Sequence, residues 1–114
     1  MNNLKNKVSL IGRLGNTPEV VNLQNGNTLT RFRMATNESY KDKQGEWKQQ
    51  TQWISINTWG KLAKKAERVL EKGQEIFLEG KLVSNSYENA LGEKRYSTYV
   101  EASEFIIIQH ITKE

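Results

Sequence analysis

The sequence predicts an all-β domain, a five-stranded Greek-key barrel with one short helix between its third and fourth strands. Three features lead there. Apolar–polar alternation recurs in separate short stretches, one stretch between them switches to helical spacing, and glycine-bearing turn clusters punctuate the chain. At 114 residues, 36% of them hydrophobic, the chain holds one core and not two. A domain of this size buries a modest share of its surface, so association between copies would help it.

The first strand covers Lys7-Val8-Ser9-Leu10-Ile11-Gly12, alternating and ending at glycine with a bend or bulge. Pro18 marks the next turn, and residues 19–23 can extend again. The cluster Gln24-Asn25-Gly26-Asn27 supplies an Asn-Gly pair, which favours a tight hairpin because both central positions tolerate positive φ. A second strand follows over residues 29–37, with Thr30, Phe32, Met34 and Thr36 on one face and Arg31, Arg33 and Ala35 on the other. Residues 38–50 are polar and carry Lys41, Lys43, Gly45 and Lys48, which predicts a long basic hairpin arm or loop.

Residues 52–59 form the third strand. Beyond Gly60 the period changes: Leu62, Ala66, Val69 and Leu70 share one face of a helix of about ten residues, closed by Lys72-Gly73 as a C-terminal glycine signal. Residues 74–83 return to alternation, with Ile76, Leu78 and Leu82 in phase, and the strand continues toward Tyr87. A second hairpin tip, residues 89–94, leads into the last strand over residues 95–108. Three strands, a helix and two strands is the order of the oligonucleotide/oligosaccharide-binding (OB) fold, whose curved face and loops hold extended polymers.

Seventeen Lys and Arg against thirteen Asp and Glu give a formal charge of +4, with a pI of about 9.4, a mild bias toward polyanions. There is no cysteine, hence no disulfide framework, thiolate metal site or Cys nucleophile. Catalytic candidates are poor. The single histidine, His110, sits near the end of the chain, and Glu67 and Glu71 have the spacing of a solvated helix face. With no Gly-rich phosphate loop and no metal-ligand cluster, the sequence points to no cofactor, no metal and no enzyme. The opening Met1-Asn2-Asn3-Leu4-Lys5 lacks the apolar run of a secretory signal and no stretch has transmembrane length, so the expected location is the cytoplasm.

The most informative segment is the third strand. Trp53, Ser55, Asn57 and Trp59 share one parity, and Ile54 and Ile56 the other. With the isoleucines in the core, two tryptophans lie among polar residues on the outer face, where an indole can stack on a base of any identity. A strand tryptophan more commonly caps a barrel or fills a subunit contact, and the interleaved polar residues weigh against that here. Tyr40, at the foot of the basic arm, and Tyr87, at the end of the fourth strand, extend the path. Lys41, Lys43, Lys48, Lys61, Lys81, Lys94 and Arg95 lie in the arms or beside the aromatic strand, and Arg31 and Arg33 on the outer face of the second, all candidates for phosphate contacts. The expected partner is single-stranded DNA; RNA is the alternative that stacking alone leaves open.

At these residues the chain resembles the bacterial single-stranded DNA-binding protein family. The resemblance runs through Asn6-Lys7-Val8 to Gly12, Thr17-Pro18-Glu19-Val20, Asn25-Gly26, Ala35-Thr36-Asn37-Glu38, Thr51-Gln52-Trp53, Trp59-Gly60-Lys61-Leu62-Ala63, Lys72-Gly73, Glu79-Gly80-Lys81-Leu82 and Arg95-Tyr96. It covers nearly the whole chain, and the order and spacing of these pieces are what make it specific. The resemblance implies a homotetramer of barrels wrapped by single-stranded DNA, with a homodimer as the smaller alternative, nucleoid-associated and serving replication, recombination and repair. The family's four stacking aromatics match Tyr40, Trp53, Trp59 and Tyr87, and its basic phosphate contacts match Lys43, Lys61 and Lys72.

Three departures stand out. The basic run that often precedes the family's fourth aromatic is uncharged here, Val83-Ser84-Asn85-Ser86, which implies fewer phosphate contacts on that strand. A position that is often histidine is Ile54, and the next, often basic, is Ser55. Most members also continue into a flexible linker and an acidic tip that recruits replication and repair enzymes, whereas this sequence stops at Ile111-Thr112-Lys113-Glu114. The expectation is either the barrel part of a longer member or a naturally tailless one, the latter similar to the primosomal accessory protein or to short homologues from plasmids, phages or mobile elements, with the replication and repair partners unnamed in both cases. The competing expectation is an interaction module like the primosomal accessory protein, a related barrel that would touch DNA weakly. The run Ile106-Ile107-Ile108 fits either an extra buried surface or ordinary core.

Overall fold

The computed structural model describes residues 6–109; His110 and the final residues 111–114, like the N-terminal residues 1–5, lie outside them. The elements are β1 (Val8–Leu14), β2 (Glu19–Asn22), β3 (Thr28–Lys41), β4 (Trp47–Trp59), α1 (Gly60–Val69), β5 (Glu75–Glu88) and β6 (Lys94–Gln109). The sheet runs β1-β5-β6-β4-β3-β2, and a further β1–β3 pairing closes it. Five strands therefore form the barrel, with the helix between the third and fourth of them, as the sequence predicts. The short β2 is additional and pairs with β3 from Glu19↔Arg31 to Asn22↔Thr28.

Closure is made by β1, which pairs with β5 along Val8–Arg13 and with β3 at Arg13↔Ala35 and Leu14↔Met34. The first strand thus continues past Gly12 instead of ending there. The reason is steric: a Cβ on Gly12 would run into the Ala35 carbonyl oxygen, so glycine lets β1 pass close to β3 while the strand goes on. On the opposite side β4 and β6 meet in parallel at Ile56↔Val100 and Asn57↔Glu101.

Inside lie Leu14, Phe32, Met34, Ile56, Leu70, Ile76, Leu78, Val100 and Phe105, with Ala63 and Ala66 presenting the buried face of α1. The buried hydroxyls of Thr30 and Thr58 donate to the Ala63 and Thr30 carbonyls at 3.0 and 3.3 Å, so these polar groups enter the core satisfied. In β6 the inward set changes parity between Phe105 and Ala102. An irregularity places Glu79 opposite Glu104 and Gly80 opposite Ala102, leaving Ser103 as the extra residue, whose hydroxyl donates to the Glu79 carbonyl.

The tight hairpin expected at Asn25-Gly26 forms, whereas the helix end expected at Gly73 is corrected. At Asn25-Gly26 only glycine has positive φ, +84°. Leu23 N–H bonds to Asn27 O and Gly26 N–H to Leu23 O, the pattern of a three-residue loop with glycine at the left-handed position. Gly73 does not cap α1, which ends at Val69 with an extended Leu70. The buried Gln74 side chain does that work: its amide donates to Val69 O at 3.2 Å and its Oε1 accepts Glu71 N–H at 2.8 Å. Gly73 instead ties the following turn to Leu14 O at 2.8 Å.

The hairpin arms are regular β-structure, so the second strand runs on to Lys41 and the third begins at Trp47 rather than 52. Leu82, in phase with Ile76 and Leu78, is nonetheless half exposed because β5 is leaving the barrel there. Ile106 and Ile108 are exposed and Ile107 packs partly on the core, so the isoleucine run serves both sides of β6. Replacing Gly12 with alanine should destabilise the fold by about 1–3 kcal/mol through overpacking against β3; urea denaturation measures it, and an unchanged midpoint would show that the closure can widen freely.

Candidate nucleic-acid interface

The outer face of β3–β4 carries the predicted constellation. Register pairs Ala35 with Trp53, Arg33 with Ser55, Arg31 with Asn57 and Leu29 with Trp59. Trp53 is 51% and Trp59 37% exposed, while Ile56 between them is fully buried, as the parity of the strand requires. The Arg33 guanidinium lies 4.9 Å from the Trp53 ring centroid, a cation–π contact on one side of the indole. The distal ring of Trp53 sits over Gly15, where a Cβ would overlap it. Gly15 is fixed in turn by its N–H to Arg33 O at 2.8 Å, and Arg33 N–H donates to Asn16 Oδ1 at 2.9 Å. A hollow of about 250 Å³ opens beside them, lined by Asn16, Glu19, Arg31, Arg33, Ser55 and Asn57. Arg33 therefore brings charge from β3 to the position where Ser55 has none.

Trp59 directly precedes α1, which starts at Gly60 without a side-chain cap and with no acid in its first turn. The exposed Lys61 of that turn and the open N–H groups make this end of the strand electropositive. Lys72 is exposed on the turn that Gly73 binds to Leu14, one residue from the Gly15 seat of Trp53. The barrel thus gathers Trp53, Trp59, Arg31, Arg33, Lys61 and Lys72 around one face and its margins.

The remaining candidates stand on the two arms. On β3–β4, Tyr40 (47% exposed) pairs with Lys48, and Lys41 with Trp47, with Lys43 in the turn between them. By register Tyr40 and Lys48 lie on the ribbon face opposite to Trp53. On β5–β6, Tyr87 (54% exposed) pairs with Arg95, Lys81 with Glu101, and Lys94 with Glu88. Both tips use one device: Asp42 Oδ1 accepts the N–H groups of Gln44 and Glu46, and Asn89 Oδ1 those of Leu91 and Glu93, all at 2.9–3.0 Å.

Several cations already hold a carboxylate: Arg31 with Glu19 at 4.0 Å, Lys48 with Glu46 at 3.5 Å, Lys81 with Glu101 at 3.6 Å and Arg95 with Glu93 at 2.7 Å. These are exposed pairs of small individual value, which a phosphate could replace. Two exposed aromatics escaped the sequence reading. Trp47 is 71% and Tyr96 67% exposed, each with a lysine, Lys41 or Lys94, 5.8 Å from its ring centroid. Strand parity would have found Trp47 had the third strand been started at its true beginning. Among the described residues no acidic or histidine group is arranged to hold a metal, and no helix is long and apolar enough to cross a membrane.

Replacing Gly15 with alanine should push the Trp53 ring from its seat and leave stability within about 1 kcal/mol, because the ring is half exposed and can move. Acrylamide quenching in a W47F/W59F background, where Trp53 is the sole reporter, should rise; unchanged quenching would show that Gly15 does not set the ring's position.

Comparison with known proteins places this arrangement. The model of the single-strand binding protein family matches residues 5–108. Single-stranded DNA-binding protein 1 of Chlorobaculum tepidum is 41% identical over 96 residues, which are 83% of this chain and 59% of that protein; the chain thus spans about 59% of the length of this curated relative. A Plasmodium falciparum SSB in complex with ssDNA superposes with a TM-score of 0.84 at 27% identity, covering 96% of this chain and all of the other. A deletion mutant of the Thermus aquaticus single-stranded DNA binding protein gives 0.82 at 28% identity, covering 91% of this chain and 50% of that one.

Proposed function

Because the chain belongs to the single-strand binding protein family, we propose that it binds single-stranded DNA without sequence preference, by base stacking on aromatic side chains and phosphate contacts from Lys and Arg. The observation that carries this is the outer face of β4, where two half-exposed indoles flank polar residues and Arg33 reaches across from β3 to Trp53. Trp53 and Trp59 stack on bases from the barrel face, and Tyr40 and Tyr87 do so from the arms. Arg31, Arg33, Lys61 and Lys72 meet phosphates beside the tryptophans; Lys41, Lys43 and Lys48 do so along one arm, and Lys81, Lys94 and Arg95 along the other. No bond is made or broken, so protection of exposed strands in replication, recombination and repair is the activity, in the cytoplasm on the nucleoid.

The primosomal type of interaction module is not favoured, since the similar proteins found are themselves named for single-stranded DNA binding and all four aromatics are present and exposed. Tryptophan emission should fall on titration with oligothymidylate and not with a duplex of equal length, and the affinity should weaken as salt rises. No quenching by either would end this reading. Replacing Trp53 and Trp59 together with alanine should cost roughly 2–6 kcal/mol of binding if each serves one base; normal binding by the folded double variant would contradict it. An RNA strand of equal length, used as competitor, tests the sugar preference.

Assembly into a homotetramer, or a homodimer as its smaller form, is supported by a strip on the outer face of β1–β5–β6. Register aligns Ile11 with Phe77 and Phe77 with Ile106, and the two isoleucines are 56% and 61% exposed. A second copy covering this strip removes apolar area from water. Ile11→Glu together with Ile106→Glu should yield folded monomers by light scattering, and an unchanged mass would exclude the strip as the contact.

A further inference from the structure

All three tryptophans of the chain fall on β4, at positions 47, 53 and 59. Equal spacing of six residues keeps them on one side of the ribbon, because side chains alternate with a period of two. Each interval advances about 20 Å along the strand at roughly 3.3 Å per residue. Trp47 is the outermost, at the far end of the arm, and the most exposed of the three at 71%.

Its surroundings differ from those of a packing residue. The same ribbon face between Trp47 and Trp53 consists of Lys41, Ser39, Asn37, Gln49 and Thr51, with no apolar neighbour. The Lys41 ammonium lies 5.8 Å from the Trp47 centroid, as the Arg33 guanidinium lies 4.9 Å from that of Trp53. In both cases a cation from β3 lies over the indole of β4. An indole so held still exposes π surface, and the neighbouring cation suits a phosphate of the same strand.

We propose that Trp47, with Lys41 over its ring, is a further base-stacking position for single-stranded DNA, extending the track of Trp59 and Trp53 outward along β4. The inference rests on the single-stranded DNA reading above and adds to it a contact site and a direction: DNA leaves the barrel along the β3–β4 arm on the Trp53 side. The ribbon's right-handed twist turns that face as it goes, so the strand would wind with the arm.

The test uses the full chain in its native assembly. In a W53F/W59F variant Trp47 is the only tryptophan, and Phe preserves an aromatic plane at the other two positions. Long oligothymidylate should quench Trp47 emission, reversibly with salt, and a short oligothymidylate should quench it less. In the otherwise native protein, Trp47→Ala should shrink the affinity gain from short to long strands by about fivefold or more, the lower end of what one stacked base contributes, and Trp47→Phe should restore much of it.

Unchanged Trp47 emission at saturating long strand, with W53A/W59A still impaired, would overturn this inference and leave the parent reading intact. Normal binding by W53A/W59A would instead overturn the parent reading and this inference with it. A change in assembly mass on Trp47→Ala would place the residue at a subunit contact and likewise overturn it.

Discussion

The structure depends on the close passage of β1 across β3. At Gly12 the backbone comes against the Ala35 carbonyl, and two residues later Leu14 pairs with Met34 and enters the core. That contact turns a row of strands into a ring. It also sets the face that carries Trp53. Gly15, just past the crossing, is bound to Arg33 and lies under Trp53, and the Leu14 carbonyl holds the turn that bears Lys72. A wider crossing would therefore loosen the core and displace the aromatic ring in one movement.

The barrel uses only part of the length of its strands. β3, β4, β5 and β6 run 13–16 residues each, longer than the usual strand of 5–6 or so, and their distal halves project as ribbons exposed on both faces. Two-stranded ribbons are weakly stable alone, so each is anchored by its barrel half and finished with a carboxylate- or amide-braced glycine turn. Among their cations Lys48, Lys81 and Arg95 hold a carboxylate, as Arg31 does on the barrel face. Under the proposed reading, a phosphate arriving at Arg31, Lys48, Lys81 or Arg95 would displace Glu19, Glu46, Glu101 or Glu93, so these contacts trade one anion for another.

Much of this was legible in the sequence, for physical reasons that differ by element. The strict alternation from Trp53 to Trp59 can satisfy a core in one way only, so parity alone placed the isoleucines inside and the tryptophans outside. The helix was legible because Leu62, Ala66, Val69 and Leu70 share a face that a strand would scatter. What was missed depends on partners remote in the chain. Gly12 resembles a strand end until the Ala35 carbonyl is seen across from it. Gly73 resembles a helix cap until its N–H is seen bound to the Leu14 carbonyl, far away in the chain. The polar composition of residues 38–50 hid two strands, since a ribbon wet on both sides has no apolar period, and Trp47 was lost with it. The distribution of the candidate cations over barrel and arms required the register itself.

The shared geometry of the two arms has a consequence for how such a protein changes over time. Because the side-chain pattern repeats every two residues, lengthening a hairpin by one residue on each strand would turn every distal side chain onto the wrong face, whereas adding two would preserve it. The arms are in that sense rulers graduated in steps of about 7 Å, and their glycine tips can be moved outward as units. Divergence in reach among descendants of this barrel would then come in discrete increments, with intermediate lengths disfavoured for turning their distal aromatic rings onto the opposite face.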